Sequence, residues 1–126
     1  MKPYVIKFFI VFFGAGFGGS FRYVISAAAN RLFGGYFPLG TLSVNIIGSF
    51  LLGLLIFGLD AKSLLGNEMK LFLAIGFCGG FTTFSTFSFE TIMLIRHTEY
   101  FIAGMNIILN LFLTLFALYL AYIITK

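Results

Sequence analysis

Two patterns in this 126-residue chain set hydrogen-bonding groups at helical spacing inside otherwise apolar sequence. In GTLSVNIIGSFLLG, residues 40–53, Asn45 has Thr41 one turn before it and Ser49 one turn after, all on one face. Asn106, Asn110 and Thr114 follow one another at i, i+4 and i+8 in a run of Ile, Leu and Phe. Side chains of this kind hold membrane helices together through bonds worth about 0.6 to 2 kcal/mol each. They also supply uncharged donors, which can replace a small anion's water without trapping the ion behind a full opposite charge. Two donor-rich, uncharged stripes on different helices tilt the balance toward a path for an anion.

A third stretch, GFCGGFTTFSTFSFE at residues 76–90, raises a different chemistry. Gly79, Gly80, Thr82 and Thr83 are poor helix formers in series, which predicts an interruption giving two half-helices. Backbone that leaves helical geometry at membrane depth is tolerated only when buried in protein or lining a watery cavity. Such a break frees carbonyl oxygens able to ligate a hard cation such as Na⁺, while the following half-helix presents amide groups attractive to anions. Beyond it, Phe84 and Phe87 share a face at i, i+3, and Ser85 and Ser88 repeat the spacing on the adjacent one. Phenylalanines in a membrane helix ordinarily face lipid or pack. Here hydroxyls flank them, and the positive edges of two rings turned edge-on can line a route that accepts an anion. Glu90 reads as a cap-level residue or as the partner of an arginine, and in either case as structural, like Gly80 and Thr83.

The elements that must position these groups are plain. The composition is 60% hydrophobic and only 10% charged, with a mean hydropathy of +1.08, where an ordinary soluble domain carries about a quarter charged residues. Four apolar runs, about 4–29, 39–59, 71–95 and 101–124, each meet the length of about 20 residues that a spanning helix needs. The expectation is one all-α integral membrane domain of four helices, the third broken mid-membrane. Lys2 and Lys7 before the first run, with Ala27 to Ala29 after it, could mimic a signal peptide, but the run is too long for one.

In the first span, Gly14 and Gly18 have the spacing of a small-residue helix contact. Arg22 below them either snorkels to the interface or concentrates anions at a pore mouth. With the termini and the second loop on one side, Lys2, Lys7, Lys62, Lys70 and Lys126 oppose Arg22, Arg31 and Arg96. Five against three is a weak orientation bias, open to one fixed orientation with both termini inside or to insertion both ways with antiparallel self-pairing. Four spans enclose little interior, so an oligomer is expected on either reading.

Several function classes lose support. Cys78 is the one cysteine and His97 the one histidine, so there is neither an intrachain disulfide nor a thiol or imidazole metal cluster. The net charge of +4 is scattered over helix ends, which argues against nucleic acid. No Asp or Glu precedes Asp60, so the mid-span carboxylate typical of a coupled transporter is missing. No paired carboxylates, His/Cys couple or phosphate loop supports an enzyme. A small dual-topology exporter of organic cations would be expected to carry a membrane-embedded Glu and substrate-facing Trp, and this chain has no Trp. A non-transporting assembly subunit is the third alternative.

Taken together, GFGGSFRY at residues 16–23, GTLSVNIIGSFLLG and GFCGGFTTFSTFSFE resemble the Fluc, or CrcB, fluoride channels of microorganisms, and the resemblance covers the whole chain. It implies an antiparallel, dual-topology homodimer with two pores in the cell (inner) membrane, passing fluoride passively out of the cytoplasm. Backbone carbonyls of Gly79 and Thr82 from both subunits are implied to hold a structural Na⁺. Phe84 and Phe87 are implied to line the pore with Asn45 as a donor, Asn110 and Thr114 to form a polar track, and Arg22 to match the family's first-span arginine. Asn110 departs from the Ser often found in that track.

Overall fold

The computed structural model describes residues 2–126, a chain of helices joined by short connections. The first helix, α1 (Pro3–Phe33), opens with a proline whose missing N–H would have had no partner there anyway. It ends at Gly34, followed by Gly35 at φ 125°, a conformation that suits glycine. The chain re-enters at Pro38 as α2 (Leu39–Asp60). Residues 67–81 form α3, Phe84–Arg96 form α4, and Tyr100–Thr125 form α5.

Thr82 and Thr83, between α3 and α4, are extended, with φ −89°, ψ 160° and φ −152°, ψ 124°. Two segments, Leu54–Asp60 in α2 and Leu71–Cys78 in α3, wind more widely than an α-helix, in i+5 fashion. With α3 and α4 taken together, four helical stretches are long and apolar enough to cross a membrane. They overrun the apolar runs of the sequence, as where α1 continues past Ala29 to Phe33, because nothing stops the helix before the glycine pair.

Small side chains, Ala74, Cys78, Ala103, Ala117 and Ala121, make up about half of the packed apolar interior, with Leu42, Val44, Phe81 and Leu94 the larger members. Large apolar residues such as Phe8, Phe12, Phe13, Leu115 and Phe116 point outward. That arrangement suits lipid, where apolar burial between helices gains little and close contact plus hydrogen bonding decides association. α1 lies against α3 through glycine on both sides. A Cβ on Gly14 would overlap the Phe72 carbonyl, one on Gly18 the Phe77 carbonyl, and one on Gly80 the backbone of Ala15. On the other flank Gly53 of α2 fits against Ala121 of α5, and Gly48 is pressed onto Thr82 and Phe81. Glycine contacts from two helices therefore fix where the extended pair sits.

This packing gives a direct contrast. Gly18→Val, driven into backbone that cannot yield, is expected to destabilise the fold by about 1–3 kcal/mol or more. Gly16→Ala, with open space around its Cβ, should be nearly neutral. The surviving folded fraction after heating in detergent, read by size-exclusion chromatography, checks both.

Candidate functional site

Chain leaving a helix in a low-dielectric setting exposes backbone groups that must find partners. At Thr83 both are met by one side chain: Thr83 N donates to Asn45 Oδ1 at 2.8 Å, and Asn45 Nδ2 donates to the Thr83 carbonyl at 3.1 Å. The Asn45 carboxamide thus pairs with Thr83 much as a neighbouring strand would. Thr83 N is also the group that would have closed an i+4 bond onto the Gly79 carbonyl, which is left without it. Thr83 then caps α4, its Oγ1 accepting from Thr86 N at 3.1 Å.

From Asn45 the hydrogen bonding continues inward. Its second amide hydrogen goes to Asn110 Oδ1 at 3.0 Å. Asn110 Nδ2 donates to the Oδ1 and backbone oxygen of Asn106, both at 2.9 Å. Asn106, fully buried, donates to Thr91 Oγ1 at 2.9 Å, and Thr91 donates to the Phe87 carbonyl at 2.8 Å. Thr114 hydroxyl donates to the Asn110 carbonyl, with a longer contact of 3.2 Å to that of Leu111. An amide has two hydrogens and a hydroxyl one, so Asn45, Asn110 and Thr114 already have their donors engaged. The sequence suggested donors turned to an ion; here those of Asn45 join α2 to the α3–α4 junction and to α5, and those of Asn110 and Thr114 return to α5 itself.

Asn45, Thr83, Asn110 and Thr114 line one groove of about 800 Å³ between α2, α3, α4 and α5, whereas Asn106 and Thr91 are buried behind it. It brings together Asn45, Phe84, Phe87, Asn110, Thr114, Gly79, Thr82 and Thr83, with Ser49 and the otherwise apolar Leu52, Ile56, Ala74, Ile75, Ile107 and Leu111. The Phe84 and Phe87 rings have centroids 5.4 Å apart and planes tilted by 57°. Phe84 is 78% exposed in the single chain.

Several sequence-selected residues lie elsewhere, Gly80 and Asn106 among them. Arg22 is outside the groove: its Nε donates to the Gly80 carbonyl at 2.9 Å, placing a cation on the C-terminal end of α3, where the helix dipole favours one. Ser88 turns its hydroxyl back onto the Phe84 carbonyl at 3.0 Å, and Ser85 lies 3.3 Å from Thr83 Oγ1, so neither lines the groove. Glu90 pairs with no arginine. It borders a separate cavity of about 430 Å³ under the α1–α2 connection, with one carboxylate oxygen buried and unpartnered.

Among the described residues no cluster of three His, Cys, Asp or Glu side chains could hold a metal. Carbonyl oxygens at the α3–α4 junction are the oxygen ligands this region offers, and a Cβ on Gly79 would meet open space.

The sequence profile described as CrcB-like protein, Camphor Resistance (CrcB), matches residues 9–122. The chain belongs to the CrcB family. This CrcB chain is 44% identical over 111 residues to a protein of Shewanella sp. (strain ANA-3), a match covering 88% of this chain and 89% of the relative. It is 45% identical over 111 residues, with the same coverage, to a protein of Shewanella baltica (strain OS185). A Shewanella oneidensis protein matches at 44% over 111 residues. Each of these relatives carries the name fluoride-specific ion channel FluC.

Thr91 and Gly48 of the CrcB chain were not selected from sequence. Thr91 stands 15 positions from Asn106, a pairing only the fold discloses, whereas Gly48 lies inside the Asn45 motif and could have been suspected of a close approach.

The two-sided use of Asn45 predicts an unusual penalty for an isosteric change. Asn45→Asp replaces an N–H pair with an acceptor facing the Thr83 carbonyl and Asn110 Oδ1. It should lower stability by at least the about 1–3 kcal/mol that one orphaned buried group costs, and by no less than Asn45→Ala. Unfolding of purified protein in detergent with increasing denaturant measures this.

Proposed function

We propose that the protein is a fluoride channel that lets the ion leave the cytoplasm of a microorganism passively, through the groove bounded by Asn45, Phe84, Phe87, Asn110 and Thr114. The observation that carries this reading is the co-location of those residues in one largely uncharged groove, in a chain about 44% identical to proteins named for fluoride. The edges of Phe84 and Phe87 supply positive potential without a full charge. The hydroxyl of Thr114 is held only by carbonyls of its own helix. Swinging it to a passing ion forfeits a bond worth about 1 kcal/mol, a small cost beside a charge-assisted bond to the halide. Ser49 adds a groove hydroxyl beside Asn45.

Phe84, so exposed in one chain, is covered in this reading by a second copy in an antiparallel homodimer of dual topology with two pores. The Gly79 and Thr82 carbonyls from both copies complete an all-oxygen shell suited to Na⁺, whose contribution is to hold the two subunits together. Arg22 supports that junction through the Gly80 carbonyl. Fluoride enters acidified cells as neutral HF, dissociates in the cytoplasm, and is driven out through the inner membrane by a negative interior at about 2.3 kcal/mol per charge per 100 mV. No coupling ion is required. An exporter of organic cations fits poorly, since the one charged side chain lining the groove is Lys70.

Protein reconstituted in fluoride-loaded liposomes is expected to release fluoride under a K⁺ diffusion potential with no proton gradient, and to retain chloride. Phe84→Ile and Phe87→Ile should each cut the fluoride rate by about tenfold or more, the scale of losing one well-placed stabilising group, and a fluoride electrode reads the rate. Rates unchanged in both variants would overturn the pore assignment. Purification in N-methylglucamine in place of Na⁺ is expected to lower the dimer fraction seen by mass photometry and the flux together.

A further inference from the structure

The groove has one charged lining residue, and it stands at one end. Lys70, in the first turn of α3, carries its Nζ 2.9 Å from Asp60 Oδ2 at the C-terminal end of α2. This is the one ion pair among the described residues, and Lys70 alone of the two lines the groove. Asp60 lies 15 residues beyond Asn45 on α2, roughly 20 Å along the helix once its widened last turns are allowed for, so the pair sits far from the polar junction, at the mouth. Its side chains are 39% and 28% exposed. A pair so open to water contributes little to stability. Its field at the mouth of an apolar groove is another matter, because low-dielectric walls focus potential and raise the local concentration of an ion of opposite sign.

We propose that Lys70 collects the anion at the groove mouth and that Asp60 sets how strongly it does so. This rests on the channel reading above. A bare ammonium would attract fluoride and also hold it. Paired with Asp60, the mouth is nearly neutral overall, yet Lys70 can turn its donors from carboxylate to an arriving halide and back. Removing either partner therefore has opposite effects. Lys70→Gln leaves Asp60 as a lone negative charge and repels anions. Asp60→Asn leaves Lys70 unopposed and favours entry.

The test is initial fluoride efflux from liposomes at low and high fluoride, each at low and high ionic strength set with an impermeant salt. At low fluoride and low ionic strength, Lys70→Gln should be about tenfold slower than wild type and Lys70→Arg close to it. Asp60→Asn should be faster there, and all differences should shrink at high ionic strength. Because substitution can impair folding, Lys70→Cys is also modified after insertion. A cationic methanethiosulfonate should raise the rate and an anionic one lower it, with wild type, whose Cys78 is buried, as the control. A Lys70→Gln rate equal to wild type, or a deficit that ionic strength leaves unchanged, overturns the proposal while wild-type conduction stands. Wild-type protein that releases no fluoride removes the channel reading and this proposal together.

Discussion

Much of the arrangement depends on one carboxamide meeting one peptide. Two residues of extended chain between α3 and α4 would leave an N–H and a C=O without partners in a medium that offers none, at a cost of several kcal/mol. Asn45 answers both through a single planar group. The glycine contacts are the steric complement of that pairing: Gly48 lets α2 come close enough to Thr82 for Asn45 to reach Thr83, and Gly14 and Gly18 seat α1 against α3 from the other side. Sterics bring the backbones close, and hydrogen bonding selects one register.

Polar groups within the bundle therefore do two jobs in sequence. Asn45, Asn110, Asn106 and Thr91 first bind α2, α5 and α4 to one another, and only groups at the edge of that network remain adaptable. Full charges are kept out of the middle of the groove: Arg22 lies outside it on the end of α3, Glu90 borders the other cavity, and Lys70 with Asp60 stands at the groove mouth. On the proposed channel reading, a small anion in such a groove would meet amide and hydroxyl dipoles and aromatic rings set among apolar side chains. That environment suits conduction, since a full positive charge midway would bind the ion more firmly than it would release it.

The four spans were legible because apolar runs of sufficient length have one stable form in lipid. Asn45, Asn110 and Thr114 were legible as a connected set because helical periodicity puts polar residues on one stripe. What periodicity cannot encode is whom a donor serves. Whether an amide faces an ion or another asparagine depends on the rotation of two helices about their axes, and Asn106 and Thr91 show how completely a stripe can be consumed by its neighbours. The partner of Arg22 was hidden for a related reason. Sequence puts it near a span end, where water is the default partner, whereas the end of α3 supplies a carbonyl that competes for it. The wide winding of Leu54–Asp60 and Leu71–Cys78 also escaped, since face assignments assume 3.6 residues per turn and each widened turn shifts the phase of every later residue in its helix.

The asparagine network begins and finishes on the same helix. It touches α4 at its N-cap, Thr83, and again through Thr91, two turns further along, whose hydroxyl returns to the Phe87 carbonyl. A rod clamped at two heights to two different posts can neither pivot about one clamp nor slip lengthwise without undoing the other. Phe84 and Phe87 are mounted on the stretch between those clamps, so the backbone that carries both rings is held from two sides while the rings themselves keep their own torsions.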